Sequence, residues 1–316
     1  MRYWLVSMVG VLFSATVLAT PTNRVFVTNE RGNSVSVIDT GTLEVIATVE
    51  VGGRPRGIGL APDGSELYVA ISDDDAIAVV DPDSLEVLRT FKAGSDPETF
   101  AVHPNGNLYI SNEDDAKASA FDPKTGKLVA EVDVGLEPEG VAISPDGSLV
   151  VVTSESTNML HVIKVPEHQI VANILVGARP RSAVFTADSK RAYASSEIGG
   201  EIKLIDMEKF EVVKKVNLPD ENAKPKDIVI SNDESKIYVA AGRANAVAVL
   251  DAATLELKKM IPTGKRVWGL AKSSDGSRVF TTNGVTNDVS VIDTMTDEVI
   301  KTIPVGEAPW GVVVDD

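Results

Sequence analysis

A chain of 316 residues with a formal net charge of −16 and no cysteine excludes several classes at once. The acidic field disfavours nucleic acid and anionic membrane surfaces, and neither disulfides nor thiolate metal sites are available. What remains is a core-stabilised globular protein, long enough to bury most of the surface its unfolded chain exposes.

The first segment, Met1–Ala19, differs in kind from the rest. Arg2 is its only charge, the apolar run Tyr3–Leu18 is short for a membrane span, and Val17-Leu18-Ala19 offers a small-residue cleavage site. The segment reads as a secretory signal peptide. That makes residues 20–316 the mature domain, exported and without a membrane span once cleaved.

From Val25 onward one unit repeats. It reads VFVTN, a polar loop, SVSVIDT, a turn, VIATVEVG and then RPRGIGLAPDG, and it starts again at Leu67, Leu108, Leu149, Arg191, Ile237 and Arg278. Four short Val- and Ile-rich runs within a period of about 41 residues predict one β-propeller blade per repeat. Asp63-Gly64, Asn105-Gly106, Asp146-Gly147 and Asp275-Gly276 supply tight turns. Asp39, Asp81, Asp122, Asp206, Asp251 and Asp293 recur at third-strand ends, where a carboxylate closes an Asx-turn; Lys164 interrupts the series in blade four. The chain enters on a second strand and ends, at Gly311–Asp316, on a first. The expected fold is all-β: a seven-bladed β-propeller of four-stranded antiparallel blades, with the ring closed by residues 311–316 joining the N-terminal strands.

The repeats diverge in the loops entering the inner strands. These read Arg54-Pro55-Arg56, Asp96-Pro97-Glu98, Glu137-Pro138-Glu139, Arg179-Pro180-Arg181, Lys224-Pro225-Lys226, Lys265-Arg266-Val267-Trp268 and Ala308-Pro309-Trp310. Proline fixes φ and favours an extended residue before it, but the flanking charges are not needed for that. They predict a channel-mouth face of two sectors: a basic one of Arg54, Arg56, Arg179, Arg181, Lys224, Lys226, Lys265 and Arg266, and an acidic one of Asp96, Glu98, Glu137 and Glu139, deepened by Asp73, Asp74, Asp75, Glu113, Asp114 and Asp115. The basic residues either converge on an anion, or pair with the acidic ones across the rim. Trp268 and Trp310 flank the same rim, as ring-stacking groups or as packing at the mouth. The clustered acids could attract a hard cation, but a solvated acidic face accounts for them and no metal site is expected.

Catalytic patterns are sparse. His103, His161 and His168 have no metal-ligand spacing, no serine sits in a nucleophile elbow, and no glycine loop cradles phosphate. The reading is a non-catalytic binding protein. A hydrolase alternative, with Glu98, Glu139 and Asp227 as candidates at the channel, ranks below it.

VFVTN, LYVAI, LYISN and IYVAA, with SVIDT in the third strands, resemble the YVTN-type propeller repeat over the whole of Val25–Asp316. RPRGIGLAPDG, DPETFAVHPNG, EPEGVAISPDG, TSESTNM, SSEIGG, NGVTNDVSVID and VGEAPWGVVVD further resemble seven-repeat exported proteins associated with pyrroloquinoline quinone-dependent alcohol catabolism. The resemblance implies a periplasmic accessory protein that docks a quinoprotein dehydrogenase, cytochrome or transporter component. It also suggests pyrroloquinoline quinone, a planar tricarboxylate, as a small anionic ligand for the basic rim, with Trp268 or Trp310 stacking on its ring. It carries over no catalytic residue.

Overall fold

The computed structural model describes residues 19–220 and 223–316. The predicted signal peptide falls outside the described residues except for Ala19. Among the described residues no helix is long and apolar enough to cross a membrane.

Each repeat folds into a four-stranded antiparallel sheet, and seven such sheets form the ring. Blade two shows the pattern: Pro55–Leu60 innermost, then Leu67–Ile71, Ala76–Val80 and Val87–Lys92 outermost. The two middle strands, LYVAI and AIAVV, are buried along their whole length, whereas the outer VLRTFK alternates between half-buried and exposed. The difference follows from stacking. Middle strands are covered on both faces by neighbouring blades, and outer strands meet water at the rim. The core accordingly lies between blades: Tyr68 and Ile77 of blade two pack with Phe100, Leu108 and Ile110 of blade three.

The ring closes as the repeat phase predicts. Pro309–Asp315 pairs with Arg24–Asn29, with Val314 opposite Val25, so both ends of the described chain lie in one sheet. The recurrent aspartates are turn residues: Asp39 accepts from the N–H groups of Gly41 and Thr42, Asp81 from Asp83 and Ser84, and Asp293 from Met295 and Thr296.

The entry loops differ from expectation in one respect that shapes the site. The prolines are the first residues of the inner strands rather than loop residues. The residue before each inner strand is left-handed, not extended: Arg54, Asp96, Glu137, Arg179, Lys224, Arg266 and Ala308 all have φ between 44° and 60°. The turn outweighs the proline's preference because it fastens both sides of that residue. The N–H groups of Arg54, Arg179, Arg266 and Ala308 donate to the side chains of Asn33, Asn158, Asn245 and Asn287. The carbonyls of all seven accept from the residue that follows a second strand, such as Glu155 on Glu137 and Glu197 on Arg179.

Candidate functional site

One residue after its start, every inner strand bulges. The register between inner and second strand shifts between Pro55 and Ile58, Pro97 and Phe100, Pro138 and Val141, Pro180 and Ala183, Pro225 and Ile228, Val267 and Leu270, and Pro309 and Val312. A bulge leaves two residues facing one and re-aims their side chains. The bulged pairs are Arg56-Gly57, Glu98-Thr99, Glu139-Gly140, Arg181-Ser182, Lys226-Asp227, Trp268-Gly269 and Trp310-Gly311, and most of them line an axial cavity of about 180 Å³.

Second-strand hydroxyls hold these bulges. Gly140 N–H donates to Thr153, Gly269 to Thr282 and Gly311 to Thr28, each at 2.8 Å. In turn Thr28 donates to the Arg56 carbonyl at 2.8 Å and Thr282 to that of Trp310 at 2.6 Å, so each hydroxyl ties its own blade to the next. Glycine is required where the neighbouring strand comes closest: a Cβ on Gly140 would lie 2.2 Å from the Arg181 carbonyl oxygen.

Charges are interleaved rather than segregated. Arg54 bonds Asp96 at 2.9 Å and Glu98 at 3.1 Å, and Arg56 bonds Glu30 at 2.9 Å and also Glu98. Arg181 reaches Glu139 and Glu155 at 2.5 Å and Glu197 at 2.7 Å, Arg179 pairs with Glu155 and Glu197, and Lys226 Nζ lies 2.6 Å from Glu197. Burial works against the charge on Glu197, but Arg181 and Lys226 hold its pKa down to about 2. Glu139 is likewise held low by Arg181 and Arg56 against its burial. Glu155 goes the other way: burial and the Glu139 charge push it up to about 7.

Lys226 is the outlier among the cations. It is 4% exposed. Burial and the Arg181 charge lower its pKa to about 7, and Nζ lies 4.0 Å from the Trp268 ring centroid. The Glu197 carboxylate is its ion-pair partner, whereas the buried Trp310 Nε1 has no hydrogen-bond partner among the described residues. The two indoles stack with centroids 6.1 Å apart, and Arg266 and Arg56 cover Trp268 and Trp310 at 4.9 and 5.5 Å. Asp227, also lining the cavity, is pushed up by burial but accepts from Ser182, Leu270 N–H and Ile228 N–H. It acts as a latch between strands.

Of the residues singled out in the sequence, Arg56, Glu98, Glu139, Arg181, Lys226, Trp268 and Trp310 occupy bulges at the mouth. Arg54, Asp96, Arg179 and Arg266 stand one step further out. Lys265, Asp73, Asp74, Asp114, Asp115 and Glu137 are exposed on the rim, Lys224 and Asp75 half-buried there. Several of these acids act on backbone: Asp74 accepts from Gly53 N–H, Asp75 from Asp96 N–H and Asp115 from Ser95 N–H. Asp96, Glu98 and Glu113 bring carboxylate oxygens within 4.8 Å of one another, a group able to hold a cation, although Arg54 and Arg56 already sit on two of them. Glu113 itself is pushed upward by burial and by Glu139 and Asp96.

Sequence reading missed Glu30, Glu155 and Glu197. The signal was positional: each follows a second strand, aligned with Glu113, while Ser72, Gly242 and Gly284 hold the same place in blades two, six and seven.

A family model for the choice-of-anchor I domain matches residues 110–277, more than half of the chain. The chain belongs to the choice-of-anchor I domain family. No curated protein matches this choice-of-anchor I chain. Among solved structures it is similar to Kuenenia stuttgartiensis hydrazine synthase, at 21% identity and a TM-score of 0.80, covering 89% of this chain and 95% of that one. It is also similar to a candidate 6-phosphogluconolactonase of Bacteroides fragilis, at 19% identity, TM-score 0.77, and 93% and 99% coverage. A third likeness is to dihydro-haem d1 dehydrogenase in complex with its ligand, at 18% identity, TM-score 0.71, and 94% and 76% coverage.

At these identities the likenesses show the fold, a seven-bladed propeller. They nonetheless overturn the expectation of a non-catalytic accessory protein. That expectation rested on the absence of a familiar catalytic pattern, yet the same architecture serves proteins named as enzymes, and this chain gathers a carboxylate triad at its mouth. The ranking of hydrolase chemistry below binding falls with it.

Proposed function

We propose that this chain hydrolyses small lactones or esters in its axial cavity, with Lys226 moving the proton. The observation that carries the reading is Lys226 itself: a buried amine lining the cavity, lowered to about pKa 7, with Nζ held between the Glu197 carboxylate at 2.6 Å and the Trp268 ring at 4.0 Å. An amine half deprotonated at neutral pH is matched to general acid–base work. It takes a proton from water as the water oxygen bonds to the carbonyl carbon, then returns it to the ring oxygen as the C–O bond breaks. Lactone and water are consumed and a hydroxy acid is formed. The Trp310 Nε1–H, buried without an acceptor, is a donor for the oxyanion that develops at the carbonyl. The candidate 6-phosphogluconolactonase of like fold supports a lactone as the substrate class.

The setting belongs to the same reading. Met1–Ala19 supports export to the periplasm, and the resemblance carried by RPRGIGLAPDG, DPETFAVHPNG, EPEGVAISPDG and VGEAPWGVVVD supports a place beside pyrroloquinoline quinone-dependent oxidation, with a dehydrogenase, cytochrome or transporter component as neighbour. Acid release from a panel of γ- and δ-lactones tests the chemistry. The expected kcat/KM rises through pH about 7, and Lys226→Met lowers it by roughly 10²-fold or more while the variant still melts cooperatively. Wild-type turnover in the variant, or none by the wild type across the panel, overturns the reading.

A further inference from the structure

The charged and hydroxyl groups that line the axial cavity satisfy one another. Arg181 is held by three carboxylates, and Lys226 has Glu197 beside it. Asp227 accepts from Ser182 Oγ and from the Leu270 and Ile228 N–H groups, and Thr99 Oγ1 donates to the Glu139 carbonyl. What remains is the Trp310 Nε1–H, the buried polar atom of the lining with neither a hydrogen bond nor an ion pair among the described residues. A buried donor left open suits a ligand that brings one acceptor. The ligand gains nothing by bringing a charge. An anion would meet the Glu139 and Asp227 carboxyl groups and no unpaired cation, and a cation would meet Arg181 and Lys226.

One arc of the wall has the opposite character. The residue that follows the bulge lines the cavity only in blades one to four, and there it is Val312, Ile58, Phe100 and Val141. Blades five and six present Ser182, Lys226 and Asp227 from the bulges themselves, and blade seven the Trp268 ring. The cavity thus combines one open donor with a continuous aliphatic and aromatic arc. At about 180 Å³ it is well below the roughly 300 Å³ at which drug-sized pockets begin, which suits one five- or six-membered ring with a short branch. A tricyclic tricarboxylate fails on size and on charge.

We infer that the site selects an uncharged monocyclic carbonyl compound with a short alkyl branch, which under the hydrolase reading is an alkyl-substituted γ- or δ-lactone. The carbonyl oxygen accepts from the Trp310 Nε1–H, and the branch lies on the apolar arc of Ile58, Phe100, Val141 and Val312. This rests on the cavity being the reaction site, and it adds how that site chooses: by excluding charge and by burying methylenes.

Ring ketones separate binding from turnover, since they present the same carbonyl and cannot be hydrolysed. The probes are cyclopentanone, 2-ethylcyclopentanone and 3-oxocyclopentane-1-carboxylate, titrated into the purified chain and read from tryptophan fluorescence. The ethyl ketone is expected to bind about fifteenfold tighter than the parent ring, at roughly fourfold per buried methylene. The carboxylate should bind at least about tenfold more weakly than the parent. Trp310→Phe keeps an aromatic ring beside Arg56 but removes the N–H, and should weaken both neutral ketones about fivefold. Val141→Thr and Val312→Thr keep the side-chain outline; each should lower the advantage of the ethyl group while leaving cyclopentanone as it was, a split that general loosening of the fold does not produce. Equal affinity for the parent and ethyl rings, a carboxylate that binds as well as either, no quenching by any probe, wild-type binding in Trp310→Phe, or an ethyl advantage intact in both threonine variants overturns the inference. Hydrolysis of γ-butyrolactone, γ-hexalactone and 5-oxotetrahydrofuran-2-carboxylate is scored separately. Selective ketone binding without lactone turnover removes the hydrolase reading and leaves the site standing; turnover of all three lactones at like efficiency, with the ketones unselected, does the reverse.

Discussion

Two arcs of one ring use the same backbone for opposite ends. In blades three to five the bulges carry Glu98, Glu139 and Arg181, and each charge is met by an opposite one from its own or a neighbouring blade: Arg54 and Arg56 on Glu98, and Glu139, Glu155 and Glu197 on Arg181, so little is left for a ligand. In blades six, seven and one the bulges carry Lys226, Trp268 and Trp310, the returning positions in blades six and seven are glycine, Lys226 has the single carboxylate of Glu197 beside it, and the buried Trp310 Nε1–H stays open. The backbone hydrogen bonds are the same in both arcs. What separates a structural clamp from a reactive pocket is therefore the side chain at one repeated position and the number of carboxylates that surround it, three at Arg181 and one at Lys226.

The clamp predicts the largest effect. Arg181→Met keeps the bulk of the stem but leaves Glu139, Glu155 and Glu197 with one cation fewer in a site that is almost closed to water. Removing one partner of such a buried network typically costs about 3–5 kcal/mol, read as a lower midpoint in urea with an unchanged slope. A loss below about 1 kcal/mol would mean that the two arcs do not differ as described.

How far this contrast was legible in the sequence depends on the kind of information involved. Blade number, strand order and ring closure were legible because they are written seven times, and VFVTN and SVIDT repeat in register. The aspartates at third-strand ends were legible as turns for the same reason. The ion network was only half legible. Arg181 and Lys226 stand out beside their prolines, but their partners Glu155 and Glu197 lie 26 and 29 residues away, just past the ends of other strands, and meet them only because a bulge turns each inner strand toward the mouth. A bulge is a register shift between strands, and apolar periodicity carries no record of it. The lowered pKa of Lys226 was illegible for a related reason: it comes from burial and from Arg181 on another blade.

Lys226 sharpens the contrast through pH. Its unfolded value is 10.5 and its folded value about 7, so between those limits the unfolded chain holds a proton that the folded chain has lost, and stability rises with pH across the window. Glu155, raised from 4.5 to about 7, acts in the opposite sense: the folded chain keeps its proton there, and stability falls as pH rises from 4.5 to 7. Melting temperatures of the wild type and Lys226→Met, compared between pH 7 and 9.5, isolate the first limb. The wild type should gain at least about 2 °C relative to the variant over that range. Parallel curves would mean that Lys226 stays charged in the fold, which would remove it as a proton carrier.

The smallest effect is expected from Lys265, which shares a turn with Arg266 but is exposed and has no carboxylate partner among the described residues. Lys265→Gln should change stability by less than about 0.5 kcal/mol. Its bearing is on binding. If the axial cavity is a built site, affinity for a neutral lactone does not depend on Lys265, and losing its exposed ammonium removes only a screened contribution that vanishes in moderate salt. If Lys265→Gln weakens lactone binding as much as Lys226→Met does, at all salt concentrations, the attraction belongs to the basic rim as a whole. The contrast between the arcs would then be one of average charge, not of fitted partners.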